Sequence, residues 1–384
     1  MGLRLRTAVR LTVLVVLCIG VVACRSAQDT IEQSRDQAAR ALREFGARVI
    51  VRDELVQRQV EMLGATSIIL RSVKPPQDSL DDDDARVVRY GLQTSDYARI
   101  TRTIPVVSRA VPVREMPAEA RRDEYVSQIR LIGCTPDAFH MNRLTMEQGR
   151  ALSDADLRPG GNVAVLSHAV SEELFAGRDA VGQIIEIAGV SLAVVGKRAR
   201  RDDTDIAVLH SVGRADDSRD VYIPLATMRA RIGSQLATGQ DDDGKQEFVE
   251  LSQITVVVGN VSQVDQAAKT IDALLKKYHK QPDYSILVSL DLARQASDLS
   301  KTEQNQVVGV NLSGVRITDA TLKPLGLLPD LEMLILNGTD ITDDGLGHLH
   351  SLMSLRTLFL RQTKVTDAGV ANLQEALPEC VVYR

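Results

Sequence analysis

Residues 310–319 read VNLSGVRITD, residues 334–343 read LILNGTDITD, and residues 358–367 read LFLRQTKVTD. Set in register at a spacing of 24, Leu312 falls over Leu336 and Leu360, and Ile317 over Ile341 and Val365. Thr318-Asp319 likewise falls over Thr342-Asp343 and Thr366-Asp367. The register continues through Leu322, Leu346 and Val370, then through Leu325, Leu349 and Leu373. A fixed period of this length marks a stacked repeat. A single unit cannot bury its leucines without neighbours, so the units must pile into one continuous core.

Each unit is expected to supply a strand (Val310–Leu312, Leu334–Leu336, Leu358–Leu360) and a returning helix. The recurring Asp is the expected cap of the helix that follows its Thr. Three units are near the minimum for stability, which predicts that the array leans on the preceding domain or on a partner. Side chains alternate along a strand, so Gly309, Asn311, Ser313, Met333, Ile335, Asn337, Thr357, Phe359 and Arg361 should line the face away from the leucines. Ile335 and Phe359 side by side would form an exposed apolar patch suited to a protein partner. The pattern resembles leucine-rich repeats of the short bacterial type over residues 305–384, which implies an α/β solenoid that binds protein.

Upstream of the repeats lies room for more. At 384 residues the chain has length for two to three domains. Hydrophobic residues make up 44% and charged residues 25%, a globular composition. The net charge of −5 offers no basic field for nucleic acid. Aromatics reach only 3%, with no tryptophan, which argues against base- or sugar-stacking sites. The cysteines Cys18, Cys24, Cys134 and Cys380 form no CxxC pair, so zinc-ribbon and thioredoxin-type sites are excluded. No disulfide between Cys134 and Cys380 is expected.

Arg4, Arg6 and Arg10 precede the uncharged run Leu11–Cys24, a targeting signature with the body exported. Two readings stay open for residues 1–25. Extended from Thr7 to Ala27, the run is long enough for an uncleaved membrane helix. Alternatively, Val21-Val22-Ala23-Cys24 resembles a lipobox, which makes Cys24 the lipidation candidate. Both readings put the chain at a bacterial cell membrane, single-pass or lipid-anchored, with its body in the periplasm or extracytoplasmic space.

Between anchor and repeats, residues 26–300 read as one α+β body. It is expected to hold a helix over Ser26–Phe45, strands at Val49–Val51, Val163–Leu166, Val221–Ile223 and Ile254–Val258, and an amphipathic helix over Gln263–His279. Ile184–Gly196 reads as a hairpin turning at Ala188-Gly189. Gly46–Val51, Gly149-Arg150, Ser153–Asp156, Val163–Leu166, Leu174-Phe175, Val181-Gly182, that hairpin and Val221–Leu225 occur in an order that resembles the MacB-like periplasmic core domain of FtsX/MacB-type ABC permeases. The resemblance implies a two-lobed α+β domain that meets partner proteins, such as an ABC permease, an ATPase or a periplasmic adaptor. It also favours the uncleaved anchor. Permeases of that type carry three further membrane helices after this domain. No second apolar run of 18 or more residues occurs here, so transport by this chain alone is not expected.

Catalytic chemistry is not evident. GxSxG, SxxK and HExxH are absent. Gly196-Lys197-Arg198 lacks the earlier glycine and the Ser/Thr of a phosphate loop and reads as a strand end. Gly239–Glu250 imitates a calcium loop without its first ligand or flanking helices. The six histidines read as surface or satisfied residues. A non-enzymatic interaction protein without metal or cofactor is the expectation, with an accessory or permease-like subunit of a MacB-type export complex as the alternative.

Overall fold

The computed structural model describes residues 35, 37–44, 46–52, 54–55, 57–58, 64–75, 87–158, 160–211, 217–232, 239–240, 246–291 and 306–384. Leu11–Cys24, the lipidation candidate Cys24 and the aspartates of the calcium-like loop lie outside the described residues. Among those described, no helix is long and apolar enough to cross a membrane. The chain divides into two compact units, with breaks between Leu55 and Val56 and between Thr302 and Glu303.

The first break differs from the expected boundary. The helix over residues 37–44 and the strand Arg48–Val51 group with the repeats rather than with the larger unit. Ala38, Leu42 and Ala47 are buried in one core with Leu312, Leu334, Leu336 and Leu358. Arg48–Val51 runs antiparallel to Val307–Asn311, with Ile50 opposite Gly309. A Cβ at Gly309 would come within 3.1 Å of the Ile50 side chain, so the missing side chain admits Ile50. The short array therefore gains its cover at one end from residues 37–51.

Within the repeats, Val307–Asn311, Met333–Ile335, Thr357–Phe359 and Val381–Tyr383 form a parallel ladder. Each pair spans one period: Val310 faces Leu334, which faces Leu358. The leucines at 312, 336 and 360, with Ile317, Ile341 and Val365, are all buried. The capping expectation is corrected. The N-cap residues are Thr318, Thr342 and Thr366, and the aspartates reach forward into the next unit instead. Asp319 accepts from the Thr342 backbone N–H at 2.9 Å and its hydroxyl at 2.7 Å. Asp343 does the same to Thr366 at 2.8 and 2.6 Å. A helix-start carboxylate thus stitches unit to unit.

The larger unit is built on a ten-stranded mixed sheet. Its spine is the sixteen-residue strand Val107–Arg122. The first half of that strand pairs with Gln253–Val258, and its far end pairs with Ile184–Ile187. Its ten residues Val113–Arg122 pair with Tyr125–Cys134. One core forms where Thr94–Thr103 and Val264–Tyr278 cover the first half, through Ile100, Val264, Ile271 and Leu275. A second forms where His168–Phe175 covers the other half, through Val170, Leu174 and Phe175. This is the two-lobed α+β body. The hairpin runs Ile184–Ile187 to Val190–Arg198, turning at Ala188 and Gly189 with φ of 51° and 75°, as a two-residue turn of this hand requires. Lys197 and Arg198 end that strand, paired to Glu172 at 2.9 Å and Asp217 at 3.0 Å.

Candidate functional site

The strand face of the repeats was the sequence-derived candidate, and the structure corrects its exposure. Asn311, Ile335, Phe359 and Tyr383 stand in one row across the ladder, and Met333 pairs with Thr357 in the next. Ile335 and Phe359 are fully buried, and Met333, Thr357 and Asn337 nearly so. Phe359 stacks on Tyr383 at 4.7 Å between ring centroids. Asn337 is occupied within the array, its side-chain oxygen accepting from the Arg361 backbone N–H at 2.7 Å. Asn311 likewise accepts from the Ser313 backbone at 2.9 Å. Of the named residues, Ser313 is exposed, and Asn311 and Arg361 are half-buried. The physical reason is the one that suggested a patch: Ile and Phe side by side carry a large apolar area, and its removal from water is favourable.

In the larger unit, a cavity of about 280 Å³ opens over the sheet where the spine strand, Tyr125–Cys134 and Asp220–Pro224 lie side by side. Strand alternation brings Glu115, Arg130, Asp220 and Tyr222 to it, and the Val190–Arg198 strand ends nearby. Arg130 grips Asp220 with two bonds of 2.7 and 2.9 Å, and the Tyr222 hydroxyl donates to the same carboxylate at 2.9 Å. Arg198 and Arg201 both bind Asp217, at 3.0 and 2.9 Å. Burial pushes the Asp220 carboxyl up to about 6, against the pull of Arg130. Burial alone would lower the Arg130 guanidinium, but Asp220 outweighs it and holds the charge on. Opposite charges thus pair across a desolvated wall, which costs solvation and gains geometric definition.

That wall carries no activated nucleophile. Burial, aided by Asp220, pushes the nearby Cys134 thiol up to about 12, so it stays protonated. Cys134 and Cys380 are both free and buried. Among the described residues no cluster of His, Cys, Asp and Glu could hold a metal ion. His279, read from sequence as satisfied, is buried between two carboxylates: Nδ1 lies 2.7 Å from Asp283 and Nε2 3.1 Å from Asp96. Sequence reading missed both partners, although Asp283 is four residues on, because the helix stops at Tyr278 and only the fold returns Asp96.

Sequence reading also missed an outward apolar surface. At the far end of the spine hairpin, Tyr125 is 40% exposed and Val126 49%, and Ile184 of the neighbouring strand is 63% exposed. Alternation gave no hint of it, because the hairpin end faces solvent on both sides.

The larger unit is thus a two-lobed α+β body on a long spine hairpin, with buried charged pairs lining its cavity. The chain belongs to the MacB-like periplasmic core domain family, whose family model matches residues 46–274. It is 21% identical over 213 residues to the macrolide export ATP-binding/permease protein MacB of Vibrio parahaemolyticus, covering 56% of this chain and 29% of that protein. It is 26% identical over 284 residues to the MacB of Chromobacterium violaceum, covering 73% and 36%. The uncharacterized ABC transporter permease YknZ of Bacillus subtilis is 20% identical over 198 residues, covering 50% and 44%. The chain therefore spans less than half the length of these relatives. Among solved structures, the periplasmic region of MacB from Actinobacillus actinomycetemcomitans aligns with a TM-score of 0.46 at 18% identity, covering 63% of this chain and 97% of that one.

Proposed function

We propose that this protein is a membrane-tethered, extracytoplasmic and non-enzymatic interaction protein, joining a MacB-like periplasmic core domain to a leucine-rich-repeat module. The family match over residues 46–274 carries the reading, because it identifies the larger unit as a domain type found in membrane export proteins. The 24-residue parallel ladder with buried leucines supports the repeat assignment. The basic start and apolar run before Arg25 support the tether, at a bacterial cell membrane. Its partner is a protein of an ABC export system, a permease or a periplasmic adaptor, while a direct ATPase partner belongs to the second reading below. The hairpin end bearing Val126 and Ile184, which fall on one face of the sheet, is the surface assigned to that partner, since exposed apolar side chains on one face favour protein contact. A second reading, an accessory or permease-like subunit of a MacB-type complex, is favoured by the relatives being MacB and YknZ proteins.

Affinity purification of the full chain from its own membranes tests both. Recovery of an ABC ATPase in fixed ratio supports the subunit reading, and recovery of an envelope protein without an ATPase supports the first. Val126→Glu with Ile184→Glu should abolish recovery while the protein stays folded. Elution of the wild-type chain alone would defeat both readings.

A further inference from the structure

Arg35, at the start of the first described helix, forms an ion pair of 2.9 Å with Asp330, in the turn before the strand Met333–Ile335. The same helix ends at Gly46, beside Val315, which follows the strand Val307–Asn311. The helix therefore runs alongside the parallel strands and begins at the rim where those strands begin. The turns of that rim carry outward apolar side chains: Leu327 is 51% exposed and Met353 70% exposed, with Pro329 exposed between them in sequence. Charges on the rim are matched in pairs: Arg35 with Asp330, Arg52 with Glu332 at 2.7 Å, and Arg356 with Glu379. An apolar rim whose charges are already compensated can leave water without stranding a lone ion.

What this rim meets follows from the chain that leads into it. The apolar run extended to Ala27 leaves seven residues before Arg35. Fully extended, the chain from Ala27 to Arg35 reaches about 28 Å. The helix start, and with it the rim, is held within that distance of the membrane. We propose that the rim bearing Leu327, Pro329 and Met353 rests on the lipid surface, with the Leu and Met side chains in the headgroup region. This rests on the tethered reading above and adds which face of the repeat unit meets the bilayer. Exposed Leu and Met at turn tips suit that interface, where a few apolar side chains enter the boundary of headgroup and acyl chain.

The chain contains no tryptophan, so a single introduced one is a clean reporter. Full-length protein carrying Met353→Trp, and in parallel Leu327→Trp, would be placed in phosphatidylethanolamine/phosphatidylglycerol vesicles. Lys364→Trp, exposed at the opposite rim, serves as control. With dibrominated acyl chains in the vesicles, the tryptophan at 353 or 327 should lose about half of its emission or more and shift to the blue, because an interfacial indole sits at headgroup level. The tryptophan at 364 should be unaffected. Protein that floats with vesicles but shows equal emission at both rims overturns the proposal and leaves tethering intact. Protein that does not float defeats the tethering as well.

Discussion

Gly345 and Gly369 are glycines because a carboxylate occupies the space where their side chains would be. A Cβ at Gly369 would lie 2.1 Å from the nearer Asp343 oxygen, and one at Gly345 would lie 2.4 Å from Asp319. The first unit has no unit before it, and its equivalent position holds Thr321. Hydrogen bonds from the Thr366 hydroxyl and backbone hold the Asp343 carboxyl below its ordinary range. Two effects of opposite sign meet in Gly369→Ala. Alanine favours the helix by up to about 1 kcal/mol. Against that, a Cβ at 369 displaces the Asp343 carboxylate from its two bonds to Thr366, which join one unit to the next. The clash should win, with net destabilisation in denaturant unfolding. Gly347→Ala is the matched control, since a Cβ there meets nothing within 4 Å and φ is −57°. It should be neutral or mildly stabilising, and a loss equal to that of Gly369→Ala would refute the steric account.

At the scale of elements, the motif Gly149-Arg150 with Ser153–Asp156 proves to be one knot. Asp156 caps the short helix Asp154–Leu157 through the Ser153 backbone and hydroxyl, both at 2.7 Å. Arg150 clasps its carboxylate at 2.6 and 3.0 Å. The Arg150 bond first, then the Ser153 bonds, hold the Asp156 carboxyl down at about 2, against an ordinary 3.8. The folded state thus binds this proton less tightly than the unfolded chain. Its contribution is present above about pH 4 and is lost as pH falls towards 2. In melting curves taken from pH 5 to pH 2, Asp156→Asn should lower the midpoint at pH 5 and converge on wild type near pH 2. A constant gap across the range would reject the linkage. The spine strand shows the opposite case, where sequence misleads. Pro112 and Pro117 lie inside Val107–Arg122, and proline cannot donate to a ladder. The pairing of ten successive residues with Tyr125–Cys134 outweighs the missing donors.

For the whole molecule, the decisive feature is that residues 48–51 and 307–311 share a sheet. The larger unit, Val56–Thr302, lies between them in sequence, so the repeat unit is assembled from both sides of it. Because the chain buries its own repeat face, Phe359→Asp should act as a core substitution. Loss of the buried ring and burial of a charge should cost about 3–5 kcal/mol in chemical unfolding. A stability change within about 0.5 kcal/mol of wild type, the range of a surface site, would restore the open-face reading.

The repeat period, the 184–198 hairpin, the amphipathic helix near 264–278 and the order of motifs that marks the family were all legible in the residues. Each is a local pattern, in which spacing of 2, 3.6 or 24 residues places apolar groups on one side. Neither the closing of the array by Arg48–Val51 nor the covering of Ile335 and Phe359 could be read that way. The same holds for the Arg130–Asp220 and Arg198–Asp217 pairs, and for His279 held between Asp96 and Asp283. These depend on which distant segments meet. A strand's sequence states what one face must bury, while its partner is selected by the packing of the assembled chain.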